Sequence, residues 1–278
     1  MQLLPLIVMG VILLTALVIL FVNQTVKTIV RKGVTTASAS LPVVLLLFVF
    51  SFVFNLINLS LASKVQTPDT QMTPLMIGVG FLFVFLTIFM QAGSMGYVRD
   101  RIKEGKASLA NFTASGSKNY VRILLLSLLI ALIIGVFVLL AALLVALLGQ
   151  KMQTLSMGLA IVVAAIGIYA VILFFFAPYI AIADGKPVMT SMKESIAFVR
   201  KNILQVLGIS IVLISIGFVI GIGLGFLVGF TAKVIPTAQS QILFAFLSSL
   251  VNSFLGLVVT SSFMHFYLSQ SAGTAQSA

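Results

Sequence analysis

The sequence predicts an all-α fold: a polytopic transmembrane helical bundle of about seven spans, three hairpins plus one, with amphipathic cytoplasmic connecting helices. Three observations predict it. Seven apolar runs take up most of the 278 residues, and about 20 helical residues cross a hydrocarbon core of ~30 Å. The chain is 61% hydrophobic and 8% charged, whereas soluble domains carry about 25% charged residues, so a water-soluble core is excluded. None of the 16 Lys and Arg residues lies in the interior of a run, and 13 of them fall in alternate connections.

The spans follow from hydropathy in chain order. They are Leu3 to Val22, Leu41 to Ala62, Pro74 to Tyr97, Val121 to Leu148, Ser156 to Ala183, Ile203 to Phe230 and Gln241 to Leu268. Backbone groups in lipid must be satisfied within the segment, and these runs are too long for barrel strands, so helices are required. Pro42 and Pro74 fit as first-turn residues, where a missing N–H costs nothing. Span one has no positive region ahead of it and a long apolar stretch, which predicts a retained helix and not a cleaved signal peptide.

Charge then orients the spans. Lys27, Arg31 and Lys32 follow span one; Arg99, Arg101, Lys103, Lys106, Lys118 and Arg122 surround the connection after span three; Lys186, Lys193, Arg200 and Lys201 follow span five. The other connections hold only Lys64, Lys151 and Lys233. Short loops rich in Lys and Arg stay cytoplasmic, which places the N-terminus outside and the C-terminus inside. Tyr97, Tyr120, Tyr179 and Tyr267 fall at the expected cytoplasmic interface, where amphipathic rings are favoured.

An internal repeat organises the chain. Glu104-Gly105-Lys106 and Lys118-Asn119 recur as Asp184-Gly185-Lys186 and Lys201-Asn202, at offsets of 80 and 83 residues. Both copies run in the same direction, so the repeat is parallel, unlike the inverted repeats of many transporters. Arg31-Lys32-Gly33 suggests a degenerate third copy. A single integral membrane domain, 1–278, thus divides into hairpins 1–73, 74–155 and 156–239, a final span 240–268 and a polar tail 269–278.

The repeated connections have a physical character of their own. Ser191 and Glu194 read as a capping box, followed by Met192, Ile196, Val199 and Ile203 at helical spacing. That pattern predicts a helix lying on the membrane, its apolar stripe in the acyl boundary and its basic residues at anionic headgroups. Leu109, Phe112 and Tyr120 offer a similar stripe in the first copy. The expected lipid-surface cations are Lys103, Lys106, Lys118, Arg122, Lys193, Arg200 and Lys201; the plainer reading of the same charges is that they only set topology.

Pro178-Tyr179, the acidic-Gly-Lys turn, the amphipathic segment and Lys201-Asn202 together resemble bacterial and archaeal polytopic proteins related to the membrane domain of glycerophosphodiester phosphodiesterases. The resemblance covers roughly Pro74 to Ile220, and the catalytic barrel of those enzymes is absent. It implies a lipid-associated or accessory module of a prokaryotic cytoplasmic membrane and transfers no catalytic residue.

Within the spans, Gly217, Gly221, Gly225 and Gly229 recur at every fourth position, as do Ser248, Asn252, Gly256 and Thr260. Small residues let helix backbones approach closely in lipid, so the two stripes are expected to pack on each other, or the glycines on a second subunit.

Candidates for chemistry are few. All five acids, Asp69, Asp100, Glu104, Asp184 and Glu194, fall in loops or at helix ends. Ion-coupled pumps and intramembrane hydrolases place such groups inside the membrane. His265 has no expected acidic partner and reads as structural, and there is no cysteine. No catalytic, metal or cofactor site is expected, and no nucleic acid. Asn55 and Gln91 should differ in depth by roughly 10 Å, so interhelical hydrogen bonding explains them better than a shared substrate. The sequence therefore favours a non-enzymatic scaffold or accessory subunit that meets anionic lipid, a membrane partner or its own kind through basic cytoplasmic helices. The alternative is a permease for an uncharged or amphipathic solute.

Overall fold

The computed structural model of the chain describes Thr15 and residues 23–62, 74–148, 152–231, 234 and 236–275. Span one, apart from Thr15, lies outside the described residues, as do Asp69, Lys64, Lys151 and Lys233. Among the described residues all regular structure is helical: α1 (Gln24–Ser38), α2 (Leu41–Ala62), α3 (Pro74–Glu104), α4 (Leu109–Leu148), α5 (Gln153–Phe174), α6 (Ala177–Ala183), α7 (Val188–Lys201), α8 (Ile203–Thr231) and α9 (Thr237–Ala275). Six described segments are long and apolar enough to cross a membrane: Leu41–Leu61, Met76–Glu104, Leu109–Leu148, Thr154–Ala183, Ile203–Thr231 and Gln239–Ser271. The chain is a multi-pass membrane protein.

Helix boundaries depart from the sequence reading where local chemistry overrides hydropathy. α4 runs unbroken through 40 residues, so the expected surface helix and span four are one rod. At 1.5 Å per residue it is ~60 Å long, about twice the hydrocarbon thickness. Ser108 starts it: Asn111 Oδ1 accepts from Ser108 N at 3.2 Å, and Ser108 Oγ accepts from Asn111 N at 3.4 Å, a reciprocal cap. α9 extends to Ala275, so most of the expected polar tail is helical. Span five is interrupted at Phe175–Phe176, ahead of Pro178, whose ring and missing N–H break the ladder.

The chain forms two compact units, Met1–Ser117 with Leu204–Ala278, and Lys118–Ile203. In the first, α9 packs against α1, α2 and α3. Phe246 of α9 meets Phe48 and Phe52 of α2 edge-on, and Phe83 of α3 meets Phe50 and Phe54. In the second, α7 packs against α5 and α6, and the Phe176 and Phe198 rings lie 4.7 Å apart.

Burial is uneven along the long helices. Ala92–Val98, Ser261–Met264 and Tyr179–Ala183 are continuously buried, while Phe81–Phe85 is continuously exposed. The buried stretches adjoin the basic connections, so protein packing is concentrated there and the remaining lengths of helix are left to lipid. Tyr97, Tyr179 and Tyr267 are among the buried residues. Tyr120, the fourth tyrosine expected at the interface, is half-buried.

Candidate membrane-surface site

The two acidic-Gly-Lys turns have matching backbones. Gly105 and Gly185 have φ of 73° and 69°, the left-handed conformation that ends a helix at little cost only for glycine. Each turn releases the chain into a helix that carries basic residues, and in each the electrostatics are settled by neighbours. Just before the first, Asp100 is held by Arg99, whose Nε donates to Oδ1 at 2.7 Å, and by Asn111 Nδ2 on Oδ2 at 3.4 Å. After the second, Lys186 Nζ reaches Glu194 Oε2 at 2.7 Å and Asp184 Oδ2 at 3.2 Å. The hydrogen bond to Glu194, with Asp184 adding to it, raises the Lys186 pKa above its usual 10.5 in spite of partial desolvation.

The capping box expected at Ser191 and Glu194 is not formed. α7 begins earlier, with Pro187 as its N-cap, so Ser191 is an interior residue. Its hydroxyl turns back to Lys186 O at 3.4 Å, and Glu194 is engaged by Lys186. The apolar stripe of α7 also differs from expectation. Met192 and Val199 are buried, on a helix that packs against α5 and α6, so they are not available to the acyl boundary. Phe112 of α4 is likewise fully buried, with its ring edge-on to Phe89.

Ser195 explains how α7 is held. Its hydroxyl donates to Leu173 O at 2.7 Å and accepts from Phe176 N at 3.1 Å, with no exposed surface. Those backbone groups flank the interruption ahead of Pro178, so one serine satisfies both sides of the break. In the first unit Ser115 lies 80 residues earlier and is also buried; a Cβ on Gly96 would collide with its side chain.

Of the expected lipid-surface cations, Lys103, Lys106, Lys118, Lys193, Arg200 and Lys201 are exposed. Arg122 is turned to protein: its Nη1 donates to Ala181 O at 3.0 Å and to Asn119 Oδ1 at 3.3 Å. Ala181 lies in the last turn of α6, where carbonyls lack helical partners and a cation is favoured.

The expected pairing of small-residue stripes is not formed. A Cβ on Gly217 would come within 3.9 Å of Leu255, and among the described residues one on Gly221, Gly225, Gly229 or Gly256 would meet nothing within 4 Å. Asn252 is exposed, and the Ser248 and Thr260 hydroxyls bond to carbonyls of their own helix. Close approach of α9 to a neighbour occurs elsewhere, through Gly33 of α1, where a Cβ would strike Ser262. Of the intramembrane amides, Asn55 bridges α2 to α9 by donating to Ser249 Oγ at 2.8 Å, while Gln91 is exposed.

Sequence reasoning used Lys27, Arg31 and Lys32 for topology and missed the helix that carries them. Along α1, Gln24, Lys27, Thr28, Arg31, Lys32 and Thr35 share one face, and Val26, Ile29, Val30, Gly33 and Ala37 are buried on the other. The signal was legible as two interleaved stripes at helical spacing. With Thr36 and His265 the polar face lines a cleft of about 630 Å³, in which Thr36 Oγ1 and His265 Nε2 lie 2.9 Å apart.

No curated protein and no solved structure matches the chain. One family model, described as a domain of unknown function (DUF7847), matches residues 25–270, and the chain belongs to that family.

Proposed function

We propose that the protein is a non-enzymatic scaffold or accessory subunit of a prokaryotic cytoplasmic membrane, with seven spans, the N-terminus outside and the C-terminus inside. Its basic connections meet anionic headgroups or a membrane partner. One observation carries this reading: Lys103, Lys106, Lys118, Lys193, Arg200 and Lys201 are exposed, next to spans of multi-pass length. The common 80-residue offset of Gly105 and Gly185, Lys106 and Lys186, and Ser115 and Ser195 supports a parallel hairpin repeat as the source of the two connections. The permease alternative needs a broken helix whose freed backbone groups meet solute. At Phe175–Phe176 Ser195 already takes that role, which favours the scaffold.

The chain contains no cysteine, so single-cysteine variants report sidedness without background. Lys103→Cys and Lys193→Cys should resist an impermeant maleimide in intact cells and react after permeabilisation; reaction in intact cells would refute the orientation. Neutralising Lys103, Lys106, Lys193, Arg200 and Lys201 together to Gln should reduce co-purifying anionic phospholipid. Each cation contributes about 1 kcal/mol near an anionic surface, roughly fivefold in affinity. Unchanged lipid content would remove the lipid-contact reading.

A further inference from the structure

We propose that the cleft between α1 and α9 is a binding site for a phosphate-bearing anion. Its composition carries the argument. Lys27, Arg31 and Lys32 line one cavity, and among the described residues no carboxylate lines it. None of the three makes an ion pair among the described residues, in contrast to Arg99 and Lys186, whose charges are met by Asp100, Asp184 and Glu194. Three like charges on one helical face repel one another, and at i, i+4 spacing such pairs destabilise an isolated helix. An anion between them converts that repulsion into attraction.

The geometry suits phosphate in particular. Arg31 presents a planar fork that matches two phosphate oxygens, with Lys27 one turn before it and Lys32 next to it in sequence as point charges. The Thr28 hydroxyl stands on the same face, and the Thr36 hydroxyl is fixed by its 2.9 Å contact with His265 Nε2. The site is also built. Val26, Ile29, Val30 and Ala37 anchor the opposite face of α1, and Gly33 lets that helix seat directly on Ser262 of α9. The Thr36–His265 contact ties this face of α1 to α9. A cleft of about 630 Å³ is large for an inorganic ion and falls within the range of small-molecule sites, ~300–1,000 Å³. A phospholipid headgroup and a soluble phosphate ester share this recognition chemistry.

The inference does not depend on the scaffold proposal, since none of Lys103, Lys106, Lys193, Arg200 or Lys201 lines the cleft. Isothermal titration of the full chain in neutral detergent tests it, with three probes: dihexanoyl phosphatidylglycerol, dihexanoyl phosphatidylcholine and inorganic phosphate. Saturable binding near one equivalent is expected for an anionic probe, weakening as salt is raised. Binding of the glycerol lipid without phosphate identifies a headgroup site; binding of phosphate as well identifies a general phosphate site. R31Q should weaken binding at least tenfold, as loss of a charge-assisted bidentate contact does. K186Q, which alters an ion pair that does not line the cleft, should bind as wild type. If R31Q does not fold, the K27Q/K32Q pair gives the same reading. Phosphatidylcholine binding equal to the anionic lipid, absence of saturable binding of any probe, or variants indistinguishable from wild type would overturn the proposal. Saturable binding that persists in the five-cation Gln variant, with its co-purifying lipid unchanged, removes the lipid-contact reading of the basic connections and leaves this one.

Discussion

Replacing Ser195 with Ala removes one oxygen and two hydrogen bonds. Side-chain volume barely changes, so the cost is electrostatic and not steric. The Leu173 O bond at 2.7 Å and the Phe176 N bond at 3.1 Å are both fully buried. A typical net hydrogen bond is worth about 0.5–1.5 kcal/mol, and a buried group that loses its partner costs more, so roughly 2–3 kcal/mol is expected for the pair. The helix cannot absorb the loss by itself, because Pro178 has no N–H to give and its ring opposes helical closure onto Phe174. This yields a sharper prediction than destabilisation alone. With Pro178→Ala the chain can run helically through the break, where the Ala177 N–H can reach Leu173 O and Phe176 N can reach Ile172 O. Ser195 then has less to do. A double-mutant cycle measured by reversible denaturation in mixed micelles should show S195A costing about 2 kcal/mol in the wild-type background and under about 1 kcal/mol with P178A. Equal costs in both backgrounds would refute the idea that the serine serves the proline break.

Gly105→Ala and Gly185→Ala should each cost about 1 kcal/mol in the same denaturation assay, because their positive φ penalises a Cβ even in open space. Lys186→Met should cost less than about 1 kcal/mol at neutral pH, since a pair this exposed is screened. Its signature is alkaline. The folded pKa is raised, so the lysine's contribution is complete below 10.5 and lost as pH climbs through the folded value; the variant should lack that part of the alkaline decline in stability. Gly225→Leu should change monomer stability by no more than about 0.5 kcal/mol, whereas Gly33→Leu should detach α1 from α9 and expose it to proteolysis. A large loss for Gly225→Leu in monomeric detergent complexes would restore the intrachain stripe.

Six of the expected spans were legible because crossing a hydrocarbon layer imposes length and apolarity on local sequence, and no neighbour has to be known to read them. The left-handed turns were legible too, as glycine between an acid and a lysine. What could not be read is where each stripe points. Met192, Val199 and Phe112 have the spacing of membrane-facing residues and are covered by protein, because lipid and a protein interior are equally apolar solvents for a side chain. Gly221 and Gly225 have the spacing of an interface and face open space within this chain. Arg122 has the composition of a surface cation and is spent on the Ala181 carbonyl, a partner 59 positions away that no local pattern announces. The α1 cleft was missed for the opposite reason: its two stripes were visible, but the cations had already been given the task of setting topology.

A common device links the three basic connections. In each, a helix rich in cations is fastened to the end of a span by serine or by serine against glycine: Ser262 on Gly33 for α1, Ser115 on Gly96 at the start of α4, and Ser195 on Leu173 and Phe176 for α7. Serine suits this place because it is small enough for backbones to approach, and at α7 it also bonds a carbonyl that the helix break leaves over. Fastening has a consequence for charge. A basic segment on a free loop would follow the membrane surface wherever it moved, while one clamped to a span presents its cations at a fixed depth and in a fixed direction. The two later connections spend part of that charge internally, on Asp100, Asp184, Glu194 and Ala181 O. α1 does not, and its Lys27, Arg31 and Lys32 remain directed into one cleft. Selective recognition of an anion requires that last arrangement, because cations already paired with carboxylates have no net charge to offer and cations on mobile loops have no geometry.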